Sequence, residues 1–115
     1  MSGIEMRIRK LFRGKQRLVI SALDHVVEYG DQPGLEKAEP AIRNCMDTDA
    51  LLMPRFMLRR HRTLLASPQA PTPIVRVNWS ASFYYPLEYR EGFTTLTTTV
   101  EEAVAIRDAA LDIPF

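Results

Sequence analysis

Apolar and polar positions along this chain change their period several times, and each change marks an element. Near the start, Ile4, Ile8, Leu11 and Phe12 recur at helical spacing, with Arg7, Arg9, Lys10 and Arg13 between them. That spacing predicts a short amphipathic lead-in helix within residues 1–16, stopped at Gly14. Such a helix covers one end of a core, and a basic amphipathic face is also one that a membrane or RNA attracts. Residues 17–23 (RLVISAL) then run almost continuously apolar and β-branched. This pattern predicts a strand buried on both faces, as in a parallel sheet. Asp24 and His25 follow at once, and residues 28–34 (EYGDQPG) are rich in turn formers.

Helical spacing returns over residues 35–47 (LEKAEPAIRNCMD), with a break or restart expected at Pro40. Residues 49–53 (DALLM) predict a short apolar strand stopped by Pro54. Residues 55–66 predict a helix with Met57, Leu58, Leu64 and Leu65 on one face and Arg59, Arg60 and Arg62 away from it. The proline-rich stretch 67–73 (SPQAPTP) is a surface connection, and residues 74–79 (IVRVNW) predict a third strand. Residues 80–97 are aromatic and threonine-rich and read as a long loop with some extended structure. Thr99-x-x-Glu102 is a capping-box pattern that opens a last helix over roughly 100–110. Strands alternating with helices predict an α/β fold on a parallel sheet with right-handed crossovers.

Composition narrows the function. With 115 residues, 46% hydrophobic and 25% charged, the chain has the makings of one globular domain. The net charge of +1 gives the chain as a whole no bias toward nucleic acid or membrane, and neither partner is expected. The single cysteine, Cys45, fits a reducing compartment. No run approaches the roughly 18 apolar residues of a spanning helix, and the start lacks a signal peptide's apolar core. A cytoplasmic location is the expectation.

The candidate chemistry gathers where strands end. In parallel α/β folds, loops leave the carboxyl ends of the strands and carry functional groups. Asp24, directly after the first strand, is placed to orient a substrate hydroxyl or shuttle a proton. The alternative is that it merely caps the turn. His25 is placed to hydrogen-bond a phosphate or carbonyl oxygen, or is a satisfied polar residue. Asn78 and Trp79 end the third strand and would face the same side. Asn78 is a candidate for binding a polar group, and Trp79 for a pocket wall. The basic run Arg59, Arg60, His61 and Arg62 suits a solvated helix face better than a phosphate or nucleic-acid site. His25, His61 and Cys45 lack metal-ligand spacing. There is no P-loop, dinucleotide fingerprint or G-x-S-x-G elbow, so neither a metal nor a cofactor is implied.

The pattern Arg7-x-x-x-Leu11-Phe12, Gly14, Leu18-Val19-Ile20-x-Ala22-Leu23-Asp24-His25, Gly30 and Gly34-Leu35 resembles the start of the class I, Schiff-base aldolases of the DeoC/LacD type. More narrowly, it is similar to the archaeal-type fructose-bisphosphate aldolases and the LsrF-like thiolases beside them. Asp49-Ala50-Leu51-Leu52 resembles the second strand of that family and Pro73-Ile74-Val75-Arg76-Val77-Asn78 the third. Val100-Glu101-Glu102-Ala103-Val104 resembles the helix before the fourth.

The resemblance implies a partial TIM (β/α)8 barrel of about three strand–helix units, as one incomplete domain over residues 1–115. A whole barrel needs about 250 residues. The family's lyase reaction joins a lysine to a ketose or related carbonyl compound, usually a sugar phosphate, and uses the imine as an electron sink. Asp24 would contact substrate and assist proton transfer as the catalytic residue, with His25 and Asn78 binding substrate. The family's lysine, its proton-donating tyrosine and its phosphate cradle come from later strands. Lys10, Lys15 and Lys37 do not match that lysine's motif. Val26 stands where the family usually has glycine, and Phe56 and Trp79 stand near two further glycine positions. The ending LDIPF does not match a fourth strand. This chain alone is therefore expected to be inactive. Its bare sheet edge implies self-association or a separate C-terminal half. The other class of function open to it is a non-catalytic binding module derived from such a barrel.

Overall fold

The computed structural model describes residues 2–25, 33–80 and 94–111. Val26, much of the turn-rich stretch at 28–34, the greater part of the loop read at 80–97 and the last four residues lie outside them. No helix among the described residues is long and apolar enough to cross a membrane.

The chain is a mixed α/β structure built on three parallel strands. These are β1 (Ile20–Ala22), β2 (Ala50–Pro54) and β3 (Thr72–Arg76), in the order β1-β2-β3. The register aligns Ala22 with Leu52 and Leu52 with Ile74, and it closes with Pro54 opposite Arg76. Among the described residues four helices accompany the strands: α1 (Gly3–Phe12), α2 (Ala38–Asn44), α3 (Arg55–His61) and α4 (Val100–Leu111). A 3-10 turn, Arg62–Leu65, continues α3.

Local chemistry accounts for most boundaries. Ser2 caps α1 through a full capping box: its hydroxyl accepts from the Glu5 amide, while the Glu5 carboxylate accepts from the Ser2 amide. Arg13 ends the helix in the left-handed conformation, followed by Gly14 at φ 79°. Helix α2 starts at Ala38 rather than at residue 35. This leaves Pro40 in the first turn, where its missing amide hydrogen has no helical partner to lose. Strand β2 ends at Pro54, one residue beyond the expected stretch. That proline is also the residue before α3, so the helix follows with no loop between. Thr99 caps α4 by accepting from the Glu102 amide. The other half of that box differs, because the Glu102 carboxylate takes the Thr99 hydroxyl and the Arg55 guanidinium instead.

The core fills one face of the sheet. Leu23, Leu51 and Met53 pack with Ile42 of α2 and with Met57 and Leu58 of α3, and Leu65 closes the cluster. Cys45 is partly buried at its edge. On the opposite face Ala50, Pro54 and Thr72 are buried as well, and it is the β1 side that stays open. Ile20 and Ala22 are exposed, and Leu52 and Ile74 are half-buried. The expectation that the first strand is buried on both faces is therefore corrected. Strand β1 lies at a sheet edge, and Val19 and Ile20 remain 62% and 48% exposed. Helix α1 contributes no fully buried residue; Arg7, Leu11 and Phe12 are half-buried on it.

The third strand is also shorter than predicted. It ends at Arg76, and residues 78–80 form β4 (Asn78–Ser80), which pairs antiparallel with β5 (Thr94–Leu96). The Arg76 side chain turns forward and donates from Nε to the Asn78 carbonyl, which holds the bend between the two strands.

Candidate functional site at the carboxyl tips of the strands

Asp24 lies two residues beyond β1, on the same alternation as Ile20 and Ala22. Arg76 ends β3 on the alternation of Ile74, which the register places level with Ala22 across Leu52. Successive strand side chains point to opposite faces, so Asp24 and Arg76 rise from the same, open face. Strands β1 and β3 stand about 10 Å apart, on either side of β2. Arg76 spans this gap, with Nη1 donating to Asp24 Oδ2 at 3.0 Å. The middle position at that level is Pro54. A long side chain there would stand between the two charges.

Asn78 completes the cluster. Arg76 Nε donates to the Asn78 carbonyl at 2.9 Å and to its Oδ1 at 3.2 Å. The guanidinium is thus fixed at one end by a carboxylate and at the other by an amide. The side chains of Arg76 and Asp24 keep 12% and 15% of their surface in solvent. This pair is mostly withdrawn from water, so geometry and desolvation both bear on it. The second carboxylate oxygen of Asp24, Oδ1, accepts no hydrogen bond among the described residues. It is open to a hydroxyl or ammonium donor of a bound molecule.

The structure brings Asp24 and Asn78 together, though through an arginine to which the sequence reading gave no role. Asn78 does so from the start of β4, not from the end of a longer third strand. Arg76 had one signal in the sequence: it is the charge inside an otherwise apolar parallel strand, two residues before Asn78. His25 is partly buried in the turn directly after Asp24. Trp79 is paired with Thr95 in the hairpin. Phe56, 56% exposed, lines a groove between α2 and α3 and not the strand tips.

None of the three lysines hydrogen-bonds to this cluster. Lys10 is exposed on α1. Lys37 precedes α2 and lines the groove with Phe56 and Arg60. Lys15 is ion-paired to Asp49 at the amino end of the sheet. The Asp49 carboxylate also accepts from the Val19 amide, which ties β1 to the start of β2. These partners, Lys15 first and the Val19 amide second, hold the Asp49 carboxyl below the usual aspartate range. Arg59, Arg60 and Arg62 are exposed along α3 and its 3-10 extension. No three His, Cys, Asp or Glu side chains among the described residues are grouped to hold a metal ion.

Compared with known proteins, the chain matches no family model, no curated protein and no solved structure.

Proposed function

We propose that this chain is the N-terminal part of a class I aldolase-type (β/α)8 barrel of the cytoplasm, acting on a phosphorylated ketose or related carbonyl compound. One observation carries the reading. Asp24 projects from the carboxyl tip of the first of three parallel strands, on the open face, with Oδ1 available to a ligand. In a barrel that face is the interior, and the carboxyl tips are where substrates bind. Asp24 would accept a substrate hydroxyl, with Arg76 and Asn78 fixing the carboxylate's position and His25 lying beside it. The imine-forming lysine would come from outside these 115 residues, which makes the chain inactive by itself. The bare face and edge would be covered by self-association or by the rest of the barrel.

A second reading is a non-catalytic binding module. The anchoring of Asp24 by Arg76 favours it, since one carboxylate oxygen is already engaged.

Calorimetric titration of the chain with a phosphorylated ketose, followed by borohydride treatment, tests the proposal. Binding is expected, weakened at least about tenfold by Asp24→Asn, a loss of roughly 1.4 kcal/mol. No reduced lysine adduct is expected. A stable adduct on Lys10, Lys15 or Lys37 would overturn the placement of the lysine. Binding that Asp24→Asn leaves untouched would remove the site itself. Imine trapping by a longer chain that contains these residues decides between enzyme and binding module.

A further inference from the structure

We propose that α1 and the basic turn after it form a docking element for an anionic phospholipid surface. The net charge of +1 conceals a segregation along the chain. Residues 1–17 hold six cations (Arg7, Arg9, Lys10, Arg13, Lys15 and Arg17) against the single acid Glu5, a net +5. The other 98 residues hold nine cations and thirteen acids, a net −4. Much of the cationic segment lies at the surface, with Arg7, Leu11 and Phe12 half-buried. Helix α1 buries none of its residues, and Ile4, Met6 and Ile8 stay 70%, 48% and 50% exposed.

The helix does not need the core in order to exist. Its capping box satisfies the first turn, and the left-handed Arg13 closes the last. One side-chain tie to the rest of the chain is Arg13 Nη2 donating to the Ala70 carbonyl at 2.9 Å. At 100° per residue, Ile4, Ile8, Leu11 and Phe12 share one arc, while Arg9, Lys10 and Arg13 lie on the opposite one. Ile8 and Leu11 line an apolar groove of about 330 Å³ against β3 and α4, which the helix does not fill.

This is the pattern of a helix that lies in an interface: an aliphatic arc for the acyl boundary and cations for the phosphates. A helix of 10 residues is about 15 Å long and cannot span a bilayer. A polyanion such as RNA would neutralise Arg9 and Lys10 but leave Ile4 and Ile8 in water. The lipid surface takes both, and it is the partner the exposure pattern favours.

Flotation of the intact chain with vesicles tests the proposal. Mixed phosphatidylglycerol–phosphatidylcholine vesicles should carry the chain, and pure phosphatidylcholine should not. Reversing Arg9 and Lys10 to Glu should weaken binding at least about thirtyfold at low salt. Ile4→Ser with Ile8→Ser should also release the chain, with charge unchanged. Because Ile4 and Ile8 are 70% and 50% exposed and Arg9 and Lys10 are exposed, both variants should melt close to the parent, which separates lost docking from lost folding. Absence of binding to the anionic vesicles overturns the proposal, as does equal binding to the neutral ones. Tighter binding to single-stranded RNA that ignores Ile4 and Ile8 overturns it in favour of a nucleic-acid partner.

Discussion

On one face of the parallel sheet, Leu51 and Met53 are wholly buried beneath α2 and α3, while on the other Ile20 and Ala22 lie exposed. The same three strands build both faces, so composition alone does not explain the contrast. Register does: alternate residues of one strand go to opposite faces, and α2 and α3 pack on the face of Leu51 and Met53. Stability accordingly resides on the helix side. The open side carries the ion pair and the oxygen free to meet a ligand.

The largest effects should fall on the covered face. Leu51→Ala and Leu58→Ala should each cost about 2–5 kcal/mol in denaturant unfolding, since both side chains are completely enclosed. Ile20→Ser on the open face should stay within about 0.5 kcal/mol. Equal costs at Leu51 and Ile20 would mean that the second face is covered in solution.

At the strand tips, Asp24→Ala strands a mostly buried guanidinium and should cost about 3 kcal/mol. The double variant Asp24→Ala with Arg76→Leu should cost less than the sum of the two singles. Additive single effects would show that the pair is not coupled.

The amino end of the sheet gives a smaller, pH-dependent contrast. The folded state holds the Asp49 carboxyl below its ordinary range. Its contribution to stability is therefore present above about pH 4 and lost as pH falls through the lowered folded value. Asp49→Asn should flatten the acid limb of the stability curve and leave the neutral region nearly unchanged in shape. An acid limb identical to the parent's would show that Lys15 and Val19 do not hold the carboxylate in solution. Smaller still, Thr99→Ala should cost about 1 kcal/mol through loss of the α4 cap.

The sequence displayed the order of elements because its signals are local. Apolar runs at residues 17–23 and 49–53, helical spacing around Met57 and Leu58, and Thr99-x-x-Glu102 each act within a few positions. What it concealed depends on distant partners. The apolar run ending at Leu23 suits an interior strand, yet β1 is an edge because no strand pairs on its outer side among the described residues. The pairing of β4 with β5 joins residues 78 and 96, across a separation that no local pattern encodes. Asp24 was legible as the residue after a strand. Arg76 was not, because its significance comes from the register that sets β3 level with β1. The basic lead-in was visible, but an average over the whole chain cancelled it against the acidic remainder.

Nuclear magnetic resonance of the isotopically labelled chain, titrated with a phosphorylated ketose, tests the strand-tip site most directly. The account predicts saturable shifts at the Arg76 Nε–H signal, the Asp24 carboxyl carbon and the Asn78 amides, with the core signals of Leu51 and Leu58 unmoved. Shifts confined to α1, or none at all, would contradict it.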